Sequence, residues 1–178
     1  MTYSIHVKIL PLTVFSGHAY LELFDKNGQR VCQINGFATD VVSQKSKAVG
    51  APWDQIKVYI SKQSILAVTA HSSASQHVHK GFVLAEIEDD QKLQTLLNAL
   101  QKRADEINQR QLRYKLLSQN SNAVFAEMVL VIATHLALNP DELFAKTLSI
   151  QPFLPGLQSR LCADNIKSTT IKPKKYKP

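Results

Sequence analysis

A serine and a histidine stand where the chain is predicted to begin a helix and a strand. Ser121 lies at the start of a nearly all-apolar segment, and His18 follows Gly17 at the start of a segment that alternates between apolar and polar residues. A histidine can act as the base for a neighbouring hydroxyl, and the free N–H groups of a first helical turn can bind an oxyanion. These residue types favour hydrolytic or acyl-transfer chemistry, although serine is also a common N-cap residue for structural reasons alone.

Two amide side chains are candidates for orienting His18. The turn signal Asn27-Gly28 predicts a two-residue hairpin that places Phe37 opposite His18, and a slip by two residues places Asn35 there. Gln33 and Asn35 share the face of His18 in either register, because side chains alternate along a strand. Either amide oxygen can accept a hydrogen bond from the imidazole and select its tautomer. We favour Asn35 as the partner, and the alternative is a pair of ordinary solvent-facing polar residues.

The first half of the chain is predicted to consist mainly of strands. The return strand of the hairpin carries Cys32 and Ile34 on its core face, and residues 36–56 are predicted to form a long loop with short elements. The predicted strands cover residues 6–12, 18–24, 29–35, 57–60, 64–69 and 81–87.

The second half is predicted to be helical, with helices over residues 89–110, 121–136 and 140–148. The middle helix begins at Ser121 or Asn122 and is apolar around most of its circumference, which predicts a central and buried position. Pro140 suits the first position of the last helix. Pro155 and Gly156 follow in an irregular surface loop.

Length and composition predict one globular domain over residues 1–165. The chain has 178 residues, of which 44% are apolar and 20% charged, as in ordinary soluble proteins. It lacks a run of roughly 18 apolar residues, which a membrane-spanning helix needs, and it shows no signal peptide. We therefore expect a cytoplasmic protein, or one exported without a conventional signal peptide. Cys32 and Cys162 match neither a disulfide framework nor a metal pattern.

The positive charge of the chain is concentrated in its last residues. The formal charge is +7, but five lysines follow the last acidic residue, Asp164, and without them the chain has 16 basic and 14 acidic residues. Prolines and like charges predict a flexible tail over residues 166–178. We favour a solubilising role for this tail over contact with an anionic surface, and no signature of specific nucleic-acid binding accompanies it. The five lysines are Lys167, Lys172, Lys174, Lys175 and Lys177.

Three further histidines form a weaker candidate site. His77 and His79 share one face of an extended segment, and His71 precedes them. Three histidines can bind zinc, but no carboxylate or cysteine stands at ligand spacing. A polar surface loop is the preferred interpretation, and neither a metal nor another cofactor is expected.

The stretch Tyr114-x-Leu-Leu-x-x-Asn120-Ser121-Asn122-x-x-Phe125 resembles the nucleophile motif of circularly permuted papain-fold hydrolases. That group includes PPPDE peptidases, NlpC-type relatives and lecithin:retinol-acyltransferase-like proteins. In them a histidine on an early strand precedes a cysteine at the start of a later helix, and Gly17-His18 precedes Ser121 in the same way. Bacterial proteins with Asn-Ser-Asn in this motif and a late Pro-Gly, such as Pro155-Gly156, are similar across most of the chain. Ser121 stands where the peptidases carry cysteine.

The resemblance implies an α+β fold of the permuted papain type, with an antiparallel sheet packed on a central buried helix. It implies that Ser121 is the nucleophile, His18 the base, and Asn35 or Gln33 the orienting residue. The N–H of Ser121 would form part of an oxyanion hole. The residues expected to line the substrate cleft are Tyr20, Asn120 and Asn122.

The implied activity is hydrolysis or acyl transfer at an amide or ester bond. The substrate is a peptide, peptidoglycan, a lipid or a protein conjugate, and the sequence does not choose between them. Two alternatives stay open, because a serine hydroxyl is far less acidic than a thiol. One is a catalytically lapsed binding module that keeps the cleft, and the other is a bacterial toxin or effector with this fold.

Overall fold

The computed structural model of the chain describes residues 2–11, 17–47, 49–62 and 80–161. Within these ranges an open antiparallel sheet of six strands is combined with three helices, so the α+β class is confirmed. The strands are β1 (Tyr3–Pro11), β2 (Gly17–Phe24), β3 (Arg30–Thr39), β4 (Ser46–Lys47), β5 (Gln55–Ser61) and β6 (Lys80–Ile87). The helices are α1 (Asp90–Gln109), α2 (Ser121–Leu136) and α3 (Pro140–Ile150).

The sheet has the order β4-β3-β2-β1-β6, and β5 also pairs with β3. Because β5 pairs with residues 33–39 of β3, strands β2 and β4 share the opposite edge of β3. On that edge the pairing with β2 begins at Leu21↔Ile34, while β4 pairs with Ala38 and Thr39. An interval without ladder pairing is therefore left between residues 17–20 of β2 and residues 35–37 of β3. We call this interval the strand gap.

The register between β2 and β3 is the predicted one, although the turn between them differs. The three pairs Leu21↔Ile34, Glu22↔Gln33 and Leu23↔Cys32 have the predicted register, and the pairing ends before it reaches His18 and Phe37. The hairpin closes over three residues, 26–28, rather than over two. A bulge near the turn compensates for the extra loop residue, and this compensation restores the register.

Helix α2 is the central element of the core, as its all-round apolar sequence predicts. All nine residues from Ser121 to Val129 are buried. The helix approaches β3 closely at Gly36, where an added Cβ would lie 2.5 Å from the Cβ of Val124. Since real Cβ atoms do not come so close, the packing of α2 on this strand depends on glycine at position 36.

Strand β3 is longer than predicted. It continues to Thr39 and β5 begins at Gln55, so strand residues occupy both ends of the predicted loop 36–56, and the short strand β4 lies within it. The extension is stabilised by pairing with β5 and by burial of Phe37 beyond the predicted end of the strand. Gln33 and Asn35 are both buried, so the alternative of two ordinary solvent-facing residues is wrong. Both faces of β3 are therefore interior at these positions.

The remaining predicted elements agree in type and differ at their ends. Helices 89–110 and 140–148 correspond to α1 and α3. The irregular segment 151–161 is present, but it is not simply a surface loop, because Leu154, Leu157 and Leu161 are buried. The predicted strand 64–69, the three clustered histidines, Cys162 and the basic tail lie outside the described residues.

Candidate functional site

His18 and Asn35 form a buried pair across the strand gap. The Nε2 atom of His18 lies 2.9 Å from the Oδ1 atom of Asn35, and the two residues are 0% and 1% exposed. An amide oxygen only accepts, so Nε2 carries the proton and Nδ1 is left with a lone pair. Nδ1 is buried and has no hydrogen-bond partner among the described residues. The lone pair of Nδ1 is therefore buried and available to accept a proton.

The surroundings of His18 keep its imidazole neutral. The ring of Phe37 stacks on it with centroids 5.2 Å apart and an interplanar angle of 14°. Burial lowers the pKa of His18 to about 4, and the hydrogen bond to Asn35 offsets part of this effect. At neutral pH the ring is therefore in the form that can accept a proton.

The second candidate orienting residue belongs to another network. The Nε2 atom of Gln33 donates to Glu22 at 3.2 Å, and Arg30 donates to the same carboxylate oxygen at 3.0 Å. Asn35, rather than Gln33, is the amide that meets His18. Tyr20 is also buried, and its ring centroid lies 6.1 Å from that of His18.

Asn120, rather than Ser121, caps helix α2. Its Oδ1 atom accepts from the N–H groups of Asn122 at 3.0 Å and Ala123 at 3.1 Å. Its own carbonyl oxygen accepts from Val124. Ser121 is the first residue of the helix and is 5% exposed, and its N–H takes part in no hydrogen bond within the described ranges. That N–H is therefore free to stabilise a negatively charged oxygen at the helix N-terminus.

Asn122 joins the start of α2 to the strand that carries His18. Its Oδ1 atom accepts from the N–H of Ala19 at 3.0 Å, and its Nδ2 atom donates to the carbonyl oxygen of Gly17 at 3.1 Å. These are the backbone groups on either side of His18. The amide of Asn122 thus occupies the place that a neighbouring strand would take in the ladder, and it holds β2 next to Ser121.

Asn120 connects the same helix start to the segment after α3. Its Nδ2 atom donates to the carbonyl oxygens of Leu116 and Pro155, the latter at 2.9 Å. Gly156 follows with a φ of 84°, and an added Cβ there would lie 2.3 Å from Oδ1 of Asn120. Glycine is therefore required for both its conformation and its close approach. The three short sequence motifs, Gly-His, Asn-Ser-Asn and Pro-Gly, meet at the N-terminus of α2.

The alternation of side chains constrains how His18 and Ser121 can meet. His18 and Asn35 project from one face of the sheet, while Val124 of α2 packs against Gly36 on the other face. Contact between the imidazole and the start of α2 must therefore pass through the strand gap. Neither His18 nor Ser121 lines the surface depression beside Asp89 and His135 or the one beside Leu117 and Phe153.

Sequence reasoning did not identify the structural role of the two asparagines. Tyr20, Asn120 and Asn122 are all buried, and both amides bind backbone groups. Their place in a substrate cleft stays a prediction. The available signal was the Asn-Ser-Asn triplet itself, since asparagine is a preferred cap and can mimic a strand partner.

Among the described residues, no group of three or more His, Cys, Asp or Glu side chains is placed to hold a metal ion. No helix in the same ranges is long and apolar enough to cross a bilayer. Comparison of the chain with protein-family models, curated proteins and solved structures finds no match.

Proposed function

We propose that the protein is a hydrolase or acyltransferase with a permuted papain-like fold, acting on an amide or ester bond through Ser121 and His18. One observation carries the proposal. The Nε2 atom of His18 donates to Asn35, and its Nδ1 atom has no hydrogen-bond partner among the described residues. Asn122 binds the backbone on both sides of His18 and thereby joins this strand to the start of α2, where Ser121 lies. A nucleophile, a base with a fixed tautomer and a free N–H donor are the parts that acyl transfer needs.

The reaction would proceed in two displacement steps. The Oγ atom of Ser121 attacks the substrate carbonyl carbon while its proton passes to Nδ1 of His18. The carbonyl oxygen becomes an oxyanion, which accepts a hydrogen bond from the Ser121 N–H. Collapse of this intermediate expels the amine or alcohol, which receives the proton from His18, and leaves an acyl ester on Ser121. Water or another acceptor then attacks the ester by the same steps and restores the hydroxyl.

A neutral histidine suits a serine nucleophile. A cysteine can react as a thiolate paired with an imidazolium, but a serine hydroxyl stays protonated until the moment of attack. It therefore needs a base that is already unprotonated. Burial keeps His18 unprotonated at neutral pH because it lowers the pKa of the imidazole, and it also makes the imidazole a weaker base.

Covalent labelling tests the proposal. A fluorophosphonate probe should modify wild-type protein at Ser121 and leave Ser121→Ala unmodified, and His18→Ala should lose labelling as well because the hydroxyl then lacks its base. Ser118→Ala and His135→Ala are the matched controls, since both residues lie outside the site and should label normally. Equal modification of wild type, Ser121→Ala and His18→Ala would sink the proposal.

A binding module that has lost catalysis is the second candidate. The observation in its favour is that both reacting groups are buried, His18 completely and Ser121 almost so. The variant Ser121→Cys separates the two cases, because a thiol at this position can be alkylated whether or not the hydroxyl is reactive. Alkylation of the native variant by iodoacetamide, lost in the double variant with His18→Ala, supports the hydrolase. Alkylation only after unfolding supports the binding module.

A further inference from the structure

Most of the exposed apolar side chains lie on three loops. Eight large hydrophobic residues are exposed in the described part of the chain, and seven of them lie on three loops. Val42 is 93% exposed and Trp53 68% exposed, so these side chains protrude rather than rest on neighbours. The first loop is described over residues 40–47 and 49–54 and includes the short strand β4, and the other two are residues 111–119 and 151–161. The seven side chains are Val41, Val42, Val49, Trp53, Leu116, Leu117 and Phe153.

These three loops form a continuous surface. The N–H of Tyr114 donates to the carbonyl oxygen of Asp54 at 2.8 Å, which joins the first loop to the second. Asn120 donates to both Leu116 and Pro155, which joins the second loop to the third. Leu117 and Phe153 line one surface depression together. We call the seven exposed side chains and the loops that carry them the apolar rim.

The loops of the apolar rim carry a net positive charge. Lys45, Arg113 and Lys115 are exposed, and none of them forms an ion pair with a described carboxylate. Asp40 and Asp54 of the first loop share one lysine, Lys47, at 3.3 and 2.9 Å. With Arg160, the loops carry five basic and two acidic residues, which gives a net charge of +3.

We propose that the apolar rim is a docking surface for an anionic lipid bilayer. Protruding aliphatic side chains can enter the boundary between headgroups and acyl chains, where tryptophan is also favoured. Exposed lysine and arginine side chains beside them gain about 1 kcal/mol each near anionic headgroups, or about fivefold in affinity. The apolar side chains stand on separate loops that also carry exposed cations, and this combination fits a soft, negatively charged surface. The proposal does not depend on catalysis by Ser121.

Trp53 makes the proposal directly measurable, because it is the single tryptophan of the chain. Vesicles of phosphatidylcholine with phosphatidylserine should shift its emission to the blue, and brominated lipids should quench it. Added salt should weaken the association, and vesicles of phosphatidylcholine alone should bind less. The double variant Val42→Asp, Leu117→Asp should lose at least about tenfold in partitioning, since two apolar contacts are replaced by charges that the headgroups repel.

Val83→Asp is the matched control, because Val83 is the one exposed large hydrophobic residue of the described ranges that lies outside the apolar rim, and its replacement should leave binding unchanged. A full-length variant with Lys174, Lys175 and Lys177 changed to Gln tests the basic tail. Loss of binding in that variant, with full binding by the double aspartate variant, would overturn the proposal. So would unaltered Trp53 emission with anionic vesicles. A blue shift that instead follows protein concentration without lipid would assign the surface to a second copy of the chain.

Discussion

At the scale of single residues, the protein contains a histidine whose protonation opposes folding. His18 is fully buried, and its ring is enclosed by Phe37 and bound to Asn35. Its neutral form satisfies one nitrogen and leaves the other without a described partner. A proton on Nδ1 would place an uncompensated charge in the interior, which explains the direction of the pKa shift. The burial that keeps the imidazole neutral therefore makes the fold sensitive to acid.

The first prediction concerns stability against pH. The pKa of His18 is about 4 in the folded state and about 6.5 when unfolded, so the unfolded chain binds the proton first as pH falls. This contribution to stability is complete above pH 6.5 and is lost as pH falls toward 4. Between about pH 7 and pH 4.5 the loss should be roughly 2–3 kcal/mol, measured by urea unfolding.

The variant His18→Gln is the control for this prediction, because glutamine can still donate to Asn35 but does not titrate. Its stability should change less over the same interval. A smaller dependence will persist, since burial and the neighbouring Lys8 also lower the pKa of His6. An identical pH dependence in wild type and variant would show that His18 is not the titrating group.

At the scale of elements, the site depends on how closely α2 can approach the sheet. The helix begins where β2 and β3 part, and Asn122 fills the strand gap that their separation creates. Further along the helix, Val124 packs against the backbone of β3 at Gly36. These contacts fix the height of the helix over the sheet and hence the position of Ser121. A change in this packing should therefore affect both stability and the site.

The second prediction tests that close approach. Gly36→Ala inserts a methyl group 2.5 Å from the Cβ of Val124, so the helix must move outward. The expected cost is roughly 1–3 kcal/mol, as for other overpacked cores, together with reduced labelling of Ser121. In a Val124→Gly background the same substitution should cost less, because the opposing side chain is gone. Equal costs in the two backgrounds, from urea unfolding, would contradict the clash.

At the scale of the whole molecule, α2 holds the other layers together through a buried charge. Glu127 is 2% exposed, and its Oε1 atom accepts from the N–H of Leu161 at 2.8 Å. Its Oε2 atom lies 3.8 Å from Nε of Arg103 on α1. One side chain on the central helix therefore links α1 to the segment that carries Pro155 and Gly156.

The third prediction compares the two carboxylates that meet Arg103. Glu127→Ala removes a buried carboxylate that contacts both the Arg103 guanidinium and the Leu161 N–H. We therefore expect the free energy of unfolding to fall by roughly 3–5 kcal/mol. Glu106→Ala removes the exposed partner, which lies 3.0 Å from Arg103, and should cost no more than about 1 kcal/mol. Thermal and urea unfolding measure both variants. Comparable losses in the two would show that burial does not set the contribution of Glu127.

Local patterns in the sequence determined the elements and their pairing. The all-round apolar pattern predicted a buried α2, Pro140 predicted the start of α3, and strand alternation placed Asn35 on the face of His18. These features depend on residues near one another in the chain, where periodicity and turn chemistry act directly. The predicted register of the hairpin agrees with the observed pairs from Leu21↔Ile34 to Leu23↔Cys32, despite the longer turn.

The contacts between elements that are distant in the sequence were determined only by the tertiary structure. Asn122 contacts Gly17 and Ala19 more than 100 positions away, and no local pattern distinguishes such an amide from one that lines a cleft. The burial of both faces of β3 was likewise not evident from its alternating polar residues. Burial depends on what packs against a strand, and this is a property of the assembled chain. The sequence by itself therefore nominated Ser121, His18 and Asn35, and the fold decided which amide holds the histidine and how the helix start is attached to its strand.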